Sequence, residues 1–495
     1  MNYVGICGAV VISLGVVVTA GASTSCSSSS SGGSGSSGGG CGANNQLCTV
    51  PTADPISDGK GHTLRTFTPP GDTGPNTFVF STSGEVNAIT GYPYPPYDPS
   101  TATVMVDGWS WKIEKYIVVL DHITLWTNPN QSSSDQSQHG GQVAHVDGPF
   151  VVDLHKGGPL DGKGGGGEQA LAIAALTNQN DNGGAAFDPS QTYAFGFSTV
   201  QAPSDGSAIN VNLTKDEEAD YQYMVQNGAS VYYYGTATWA GNTSGTMDFG
   251  LCSTNPQTNF SMGQQTCAVA ASGSGGDGGM DDDGGAGEGG TGGTCPANGL
   301  YDFTKLPQTM TFKFAFPTPT NYVNCINYTV SEAAGHDVRG VQSSASGVTV
   351  EQATVHMDHP FWESFEEDTP VHWDQIAAQY IGQTNPEAHL EDMKGVPFNP
   401  FKDKNGNVMP WRWCEGSDVY APPSNGAMSF STLSVKQDPN GTCTGTVGQD
   451  FTKDDCTSIR DYYDFMKYTQ STQGHLNSQG LCYIDRQYPA PAGGS

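Results

Sequence analysis

Apolar positions along this chain come in short bursts divided by Gly, Pro, Asn and Ser, a period-two rather than a helical pattern. In the first half, Val104-Met105-Val106 and Trp109-Ser110-Trp111 flank Asp107-Gly108, a pair that readily supplies the positive φ angles of a two-residue hairpin turn. Residues 116–120 and 122–126 have the β-branched and aromatic content of buried strands, and further strands are expected at 150–154, 193–200 and 230–239. The stretch 168–176, rich in Ala and Leu, reads as a helix. The Gly-rich residues 162–167 before it read as a flexible loop, because they lack the Gly-Lys-Ser/Thr ending of a phosphate-binding loop. In the second half, strands are expected at 309–316 and 347–357, a mixed stretch at 360–381, a hairpin around 403–407 and a helix near 458–468. Short strands with Gly and Pro turns predict a mainly β fold, with two β-sandwich-like, disulfide-stapled domains and a few short helices.

The N-terminus departs from this pattern. Residues 4–22 are an unbroken apolar and small-residue stretch, followed by Ser23-Thr24-Ser25-Cys26 and then almost only Ser and Gly up to Gly40. That order resembles the signal and lipobox of bacterial secreted lipoproteins, and the resemblance covers this leader alone. It implies an export signal over 1–26, a lipid on Cys26 and a Ser/Gly tether over 27–60. An uncleaved membrane anchor is the other reading, and both place the rest of the chain outside the cytoplasm, as a membrane-tethered protein of the periplasm or cell surface. Beyond the tether the chain divides into a first β domain (61–272), a Gly/Asp-rich linker or loop (273–294) and a second β domain (295–491). The linker's Asp281-Asp282-Asp283 are consecutive, whereas a calcium loop needs carboxylates on alternate residues.

Of twelve cysteines, setting aside Cys7 and Cys26 in the leader leaves ten: Cys41, Cys48, Cys252, Cys267, Cys295, Cys325, Cys414, Cys443, Cys456 and Cys482. None has the Cys-x-x-Cys spacing of a zinc knuckle or redox motif, and an even number in an exported chain points to disulfides. The preferred pairs are Cys41–Cys48, Cys252–Cys267, Cys295–Cys325, Cys443–Cys456 and Cys414–Cys482. The formal charge of −30, from 49 acidic against 19 basic residues, disfavours nucleic acid and makes the N-terminus the expected route to a membrane. Metal ions or neutral ligands such as glycans fit better.

Chemistry concentrates in residues 348–380. If 348–357 is a strand, alternation puts Gln352, Thr354, His356 and Asp358 on one face and Ala353, Val355 and Met357 on the other, so that His356 points away from the apolar side. His359 precedes Pro360, which suits the start of a short helix carrying Glu363. Thr369-Pro370 starts a second helix, with His372 in its first turn, where the helix dipole favours neutral imidazole. His356, His359 and His372, with Asp358 or Glu363 and His475, therefore form a candidate ligand set for a transition metal, zinc or copper. The competing reading has these histidines capping helices, hydrogen-bonding backbone, or packing beside Phe361, Trp362 and Trp373. A second grouping, His139, His145, Asp147, Asp153 and His155, flanks Asp147-Gly148-Pro149 and reads by default as surface loop, whereas His122 reads as a structural core histidine. Tyr92, Tyr94, Tyr97, the run Tyr232-Tyr233-Tyr234, Trp411 and Trp413 offer aromatic platforms for a glycan-binding or adhesion module. A metal-dependent or two-carboxylate hydrolase using Glu363, Glu366 or Glu367 is the third class, with no Gly-x-Ser-x-Gly elbow to support it.

Overall fold

The computed structural model describes residues 45–92, 109–239, 270–271, 293–294, 307–362, 371, 373–380, 382–394, 396 and 462–488. Its framework consists of strands β1 (Thr77–Ser83), β2 (Trp109–Trp126), β3 (Gln142–Val146), β4 (Phe150–Asp153), β5 (Gln169–Leu176), β6 (Thr192–Thr199), β7 (Val231–Trp239), β8 (Thr309–Phe316), β9 (Thr320–Val323), β10 (Val348–Val355), β11 (Gly474–Leu476) and β12 (Tyr483–Arg486). Short helices lie at α1 (Glu85–Thr90), α2 (Glu218–Asn227), α3 (Tyr328–Ala334), α4 (Asp374–Ala377) and α5 (Tyr462–Gln470). The fold is mainly β, as the turn-punctuated pattern predicts.

β2 is the spine of the larger sheet. It runs from Trp109 to Trp126 through the expected strand pieces, and at its start Lys112 and Glu114 fall on alternate, outward positions while Trp109, Trp111 and Ile113 point in. Along its length it pairs antiparallel with β7, β4, β6 and β3. β7 pairs in turn with β8, and β6 with β9. In the smaller sheet β10 runs parallel to β1, β1 antiparallel to β5, and β10 antiparallel to β11. Strands from both sides of residues 273–294 thus share both sheets, so among the described residues the division at 273–294 does not separate two sandwiches. Long-range pairing of β1 with β10 and of β7 with β8 joins the halves.

The main core takes Phe78 and Phe80 of β1 and Leu171 and Ile173 of β5 from one sheet, and Trp111, Tyr116, Tyr233 and Phe312 from the other. Each such side chain contributes about 1.5–3 kcal/mol by leaving water. The opposite face of β2 and β7 is also covered, with Ile117, Val119 and Tyr232 packed with Tyr221 and Met224 of α2. Burial on both faces explains the near-continuous apolar runs. It also explains the correction at β5, expected as a helix. Its Leu171 and Ile173 face the main core while Ala172 packs with Val79 and Leu47, and this two-sided burial overrides the helical propensity of Ala and Leu.

The disulfide pairing also differs. Cys325 is bonded to Cys482, not to Cys295, and Cys482 not to Cys414. The reason is the antiparallel ladder of β9 and β12, in which Val323 faces Tyr483 and the chain ends just beyond it carry the two cysteines. Cys48 is disulfide-bonded as well. Cys26, Cys41, Cys252, Cys267, Cys295, Cys414, Cys443 and Cys456 lie outside the described residues, as do the turn at 107–108, the hairpin at 403–407 and Asp281 to Asp283.

One buried acid pair supports the junction of β4 with β2. Asp153 Oδ1 accepts the backbone N–H groups of Tyr116 and His155 at 2.9 and 3.0 Å. Glu217 Oε2 accepts Lys156 Nζ and the Thr214 backbone N–H, both at 2.6 Å. Burial, and then the neighbouring Glu217, push the Asp153 carboxyl up to about 7. Burial pushes Glu217 the same way, but the neighbouring Asp153 and the hydrogen bonds from Lys156 and the Thr214 backbone hold it below its ordinary range. Folded Asp153 therefore keeps a proton that the unfolded chain has lost, so its contribution to stability declines as pH rises through about 7. Glu217 is ionised in both states above about pH 5 and adds no slope there. The expected outcome is that thermal unfolding temperature falls between about pH 5 and 7 in the wild type and falls less in Asp153→Asn, whose amide stays neutral; parallel curves would refute the raised Asp153 carboxyl.

Candidate metal centre

Three histidines converge where the smaller sheet meets the turn after β10. β11 pairs antiparallel with β10, with His475 opposite Thr354. Thr354 and His356 share a face by strand alternation, so His475 and His356 become diagonal neighbours, with ring centres 4.2 Å apart. Beyond the strand end, His359–Phe361 forms a 3-10 turn with Pro360 at its start, and this swings the His359 ring to 5.3 Å from His356 and 5.5 Å from His475. Two imidazoles binding one ion tetrahedrally at about 2.1 Å place their ring centres roughly 5.3 Å apart. One ligand atom from each of His356, Asp358 and His359 lies within 4.8 Å of the others; His475 is not part of that set and adjoins it through its ring contacts with His356 and His359.

The alternation of β10 is as expected, but its polar face is not solvent-exposed. Gln352, Thr354 and His356 are all buried. They join a polar layer in which Gln352 bonds Glu168 Oε1 at 2.7 Å and accepts the Lys163 backbone N–H at 3.0 Å, docking the Gly-rich stretch 162–167 onto β10.

Hydrogen-bond partners fix the tautomer of each ring. The Thr472 hydroxyl donates to the Thr469 carbonyl at 2.8 Å, so its oxygen accepts from His359 Nδ1–H at 2.6 Å. His475 Nε2–H donates to the Thr472 carbonyl at 3.2 Å, and His356 Nε2–H to the Ser478 carbonyl at 3.0 Å. The rings of His359 and His475 then present their other nitrogens as lone pairs. Those of His359 (Nε2) and His475 (Nδ1) are buried without a hydrogen-bond partner. His356 Nδ1 lies 3.4 Å from Glu85 Oε2 at the start of α1. An orphaned buried acceptor costs about 1–3 kcal/mol, so two side by side are a substantial penalty that a bound cation would offset.

Electrostatics favour the same state. Burial, and then the neighbouring imidazoles His356 and His475, hold His359 well below the usual imidazole range; burial and then His356 do the same to His475. Both rings are neutral near pH 7, as metal ligation requires. Asp358 Oδ2 accepts Trp362 Nε1–H at 3.2 Å, and the His359 ring stacks on Trp362 with centroids 3.7 Å apart. Two parts of the competing reading are therefore real, packing beside Trp362 for His359 and hydrogen bonds to backbone for His356 and His475, but neither accounts for the partnerless nitrogens of His359 and His475.

Of the expected ligands, the structure brings together His356, Asp358, His359 and His475, while Glu363 and His372 lie outside the described residues. Glu85, Thr472 and Ser478 were not foreseen: they come from distant segments, and nothing local in the sequence marks them. The grouping around Asp147 does not assemble as a whole. His139 bonds the Gly140 carbonyl and packs on Trp126, His155 bonds the Ala88 carbonyl, and Asp153 is paired with Glu217. His122 is a correction, for its side chain is 62% exposed rather than in the core. Tyr92, Tyr232 and Tyr233 are buried core residues and offer no platform to a glycan. Tyr94, Tyr97, Glu366, Glu367, Trp411 and Trp413 lie outside the described residues.

Among known proteins, the chain matches no family model, no curated protein and no solved structure, so the chemistry of the cluster stands on its own geometry. If Thr472 orients His359 as a ligand, Thr472→Val should weaken binding of zinc or copper by about 10–100-fold in a competition titration. Unchanged affinity would show that the tautomer is not set there.

Proposed function

We propose that this chain is an exported, membrane-tethered protein that binds one transition-metal ion, zinc or copper, through His356, His359, His475 and Asp358. The observation that carries this reading is the pair of buried, partnerless lone pairs on His359 Nε2 and His475 Nδ1 beside the His356 ring. Three imidazoles and one carboxylate would fill a four-ligand shell once His475 closes on the set formed by His356, Asp358 and His359, the closed form typical of structural or storage sites rather than of catalytic zinc with an open position. Burial of His359 and His475 makes exchange slow, and access is from the side of Asp358 and Glu85, which are less enclosed. The tether reading rests on the apolar leader, Cys26 and the Ser/Gly run that follows.

Protein purified from cells should carry close to one equivalent of zinc or copper by elemental analysis under conditions that strip surface ions, and chelation should lower its unfolding temperature. After the same stripping, the double variant His359→Leu, His475→Leu should have lost the buried ion yet unfold no lower than the chelated wild type, because it also removes the orphaned acceptors. Wild type with neither metal nor a thermal response to zinc and copper would sink the assignment. For the tether, Cys26→Ala should move the chain from the membrane fraction to the soluble one; retention on the membrane would favour an uncleaved anchor over a lipid.

A further inference from the structure

A second cluster of imidazoles and carboxylates lies farther along β2, away from the buried centre. His122 interrupts that strand with φ +47°, where the pairing of β2 with β6 shifts register between Asp121 and Thr124. This left-handed residue in the middle of a strand turns the imidazole outward, while Asp121 Oδ1 accepts the backbone N–H groups of His122 and Gly148 at 2.8 and 2.7 Å. On the neighbouring strand β3, His145 lies opposite Thr124, and the next turn carries Asp147.

The carboxylate of Asp147 lies between the two rings. His145 Nε2 is 3.7 Å from Asp147 Oδ2, and His122 Nε2 is 4.0 Å from Asp147 Oδ1. Ligand atoms bound to one ion at about 2.1 Å in tetrahedral geometry stand roughly 3.4 Å apart; the atoms already within 4.8 Å of one another come from Asp121, His122 and Asp147, so the His145 ring must swing towards His122 to close its set around a cation. Behind each ring stands a second carboxylate: Asp181 Oδ2 is 2.6 Å from His145 Nδ1, and Asp121 Oδ2 is 3.2 Å from His122 Nδ1. Asp181 is itself fixed by Gln142 Nε2 at 2.7 Å. A carboxylate on the outer nitrogen fixes the tautomer, raises ring basicity and leaves Nε2 for the metal, the arrangement that recurs around protein-bound zinc.

We propose that His122, His145 and Asp147, backed by Asp121 and Asp181, form a second site for a divalent transition-metal ion, distinct from the buried centre. It is open: the side chains of His122, His145 and Asp147 are 62%, 36% and 55% exposed. Three protein ligands leave a position for water or an exchanging ligand, so this site loads and releases its ion readily, unlike the enclosed one. Imidazole with carboxylate selects zinc- or copper-like ions over calcium and magnesium.

The test is a cobalt(II) titration of the full chain, stripped of metal and followed by visible absorption. Wild type should take two equivalents, and His359→Leu, His475→Leu should take one. Adding His122→Ala and His145→Ala to that variant should abolish binding, and Asp181→Asn should weaken the remaining site by about 10–100-fold. Because the altered rings are exposed, unfolding temperature without metal should not change, which separates lost ligands from lost fold. The proposal is overturned if the His359→Leu, His475→Leu protein binds no cobalt, or if the His122 and His145 changes leave binding intact. Failure of the buried centre reads differently: wild type then takes one equivalent, which the His122 and His145 changes alone remove.

Discussion

The parallel register of β1 with β10, which sets Thr354 level with Ser83, is the constraint on which the buried centre depends. Both strands end together, so the residues that leave them, Glu85 at the start of α1 and His356 beyond β10, emerge at the same end of the sheet and come within 3.4 Å. β11 adds its own register on the other side of β10 and places His475 on the same face. A slip of one residue in either pairing would send these side chains to the opposite face. The centre is thus a property of strand pairing over long sequence separations, and the Cys325–Cys482 disulfide, which closes the β9–β12 ladder, ties down the chain that leads out of β11.

Burying a polar layer inside a β core needs partners for every group, and most of this layer has them. Gln352 and Glu168 bond each other, and Asn477 Oδ1 accepts the Gln352 backbone N–H at 2.9 Å. Below the histidines, the Tyr116 hydroxyl donates towards the His356 carbonyl at 3.1 Å, and its ring stacks on Tyr233 at 4.7 Å. Against that background of satisfied groups, the lone pairs of His359 and His475 stand out. Their neutral state follows from burial and mutual repulsion, the same forces that would oppose a proton there and leave a metal ion as the better occupant.

The second cluster is built on a different principle. It lies at an interruption of β2, where a left-handed residue trades regular pairing for an outward imidazole, and its charges stay in water. Two imidazoles each held by a carboxylate need no burial to be oriented. An enclosed centre and an open one on the same sheet framework therefore differ in exchange rate rather than in ligand chemistry.

Alternation and turn chemistry were enough to determine the mainly β class, most strand positions in both halves, and the shared face of Thr354 and His356, because these follow from local sterics and period-two burial. The leader and most of the tether lie outside the described residues and are read from composition alone. The sequence also singled out His356, Asp358, His359 and His475 by residue type. It did not reveal that the Ala-rich stretch 169–176 is a strand, that Cys325 meets Cys482, that Tyr232 and Tyr233 are core, or that His122 is exposed. Each of these depends on which distant strand lies alongside, and pairing energy comes from partners that no local window contains. Glu85 joined the histidines, and His122 joined His145 and Asp147, only when tertiary structure set the registers, because a site assembled across strands has no spacing in the chain to read.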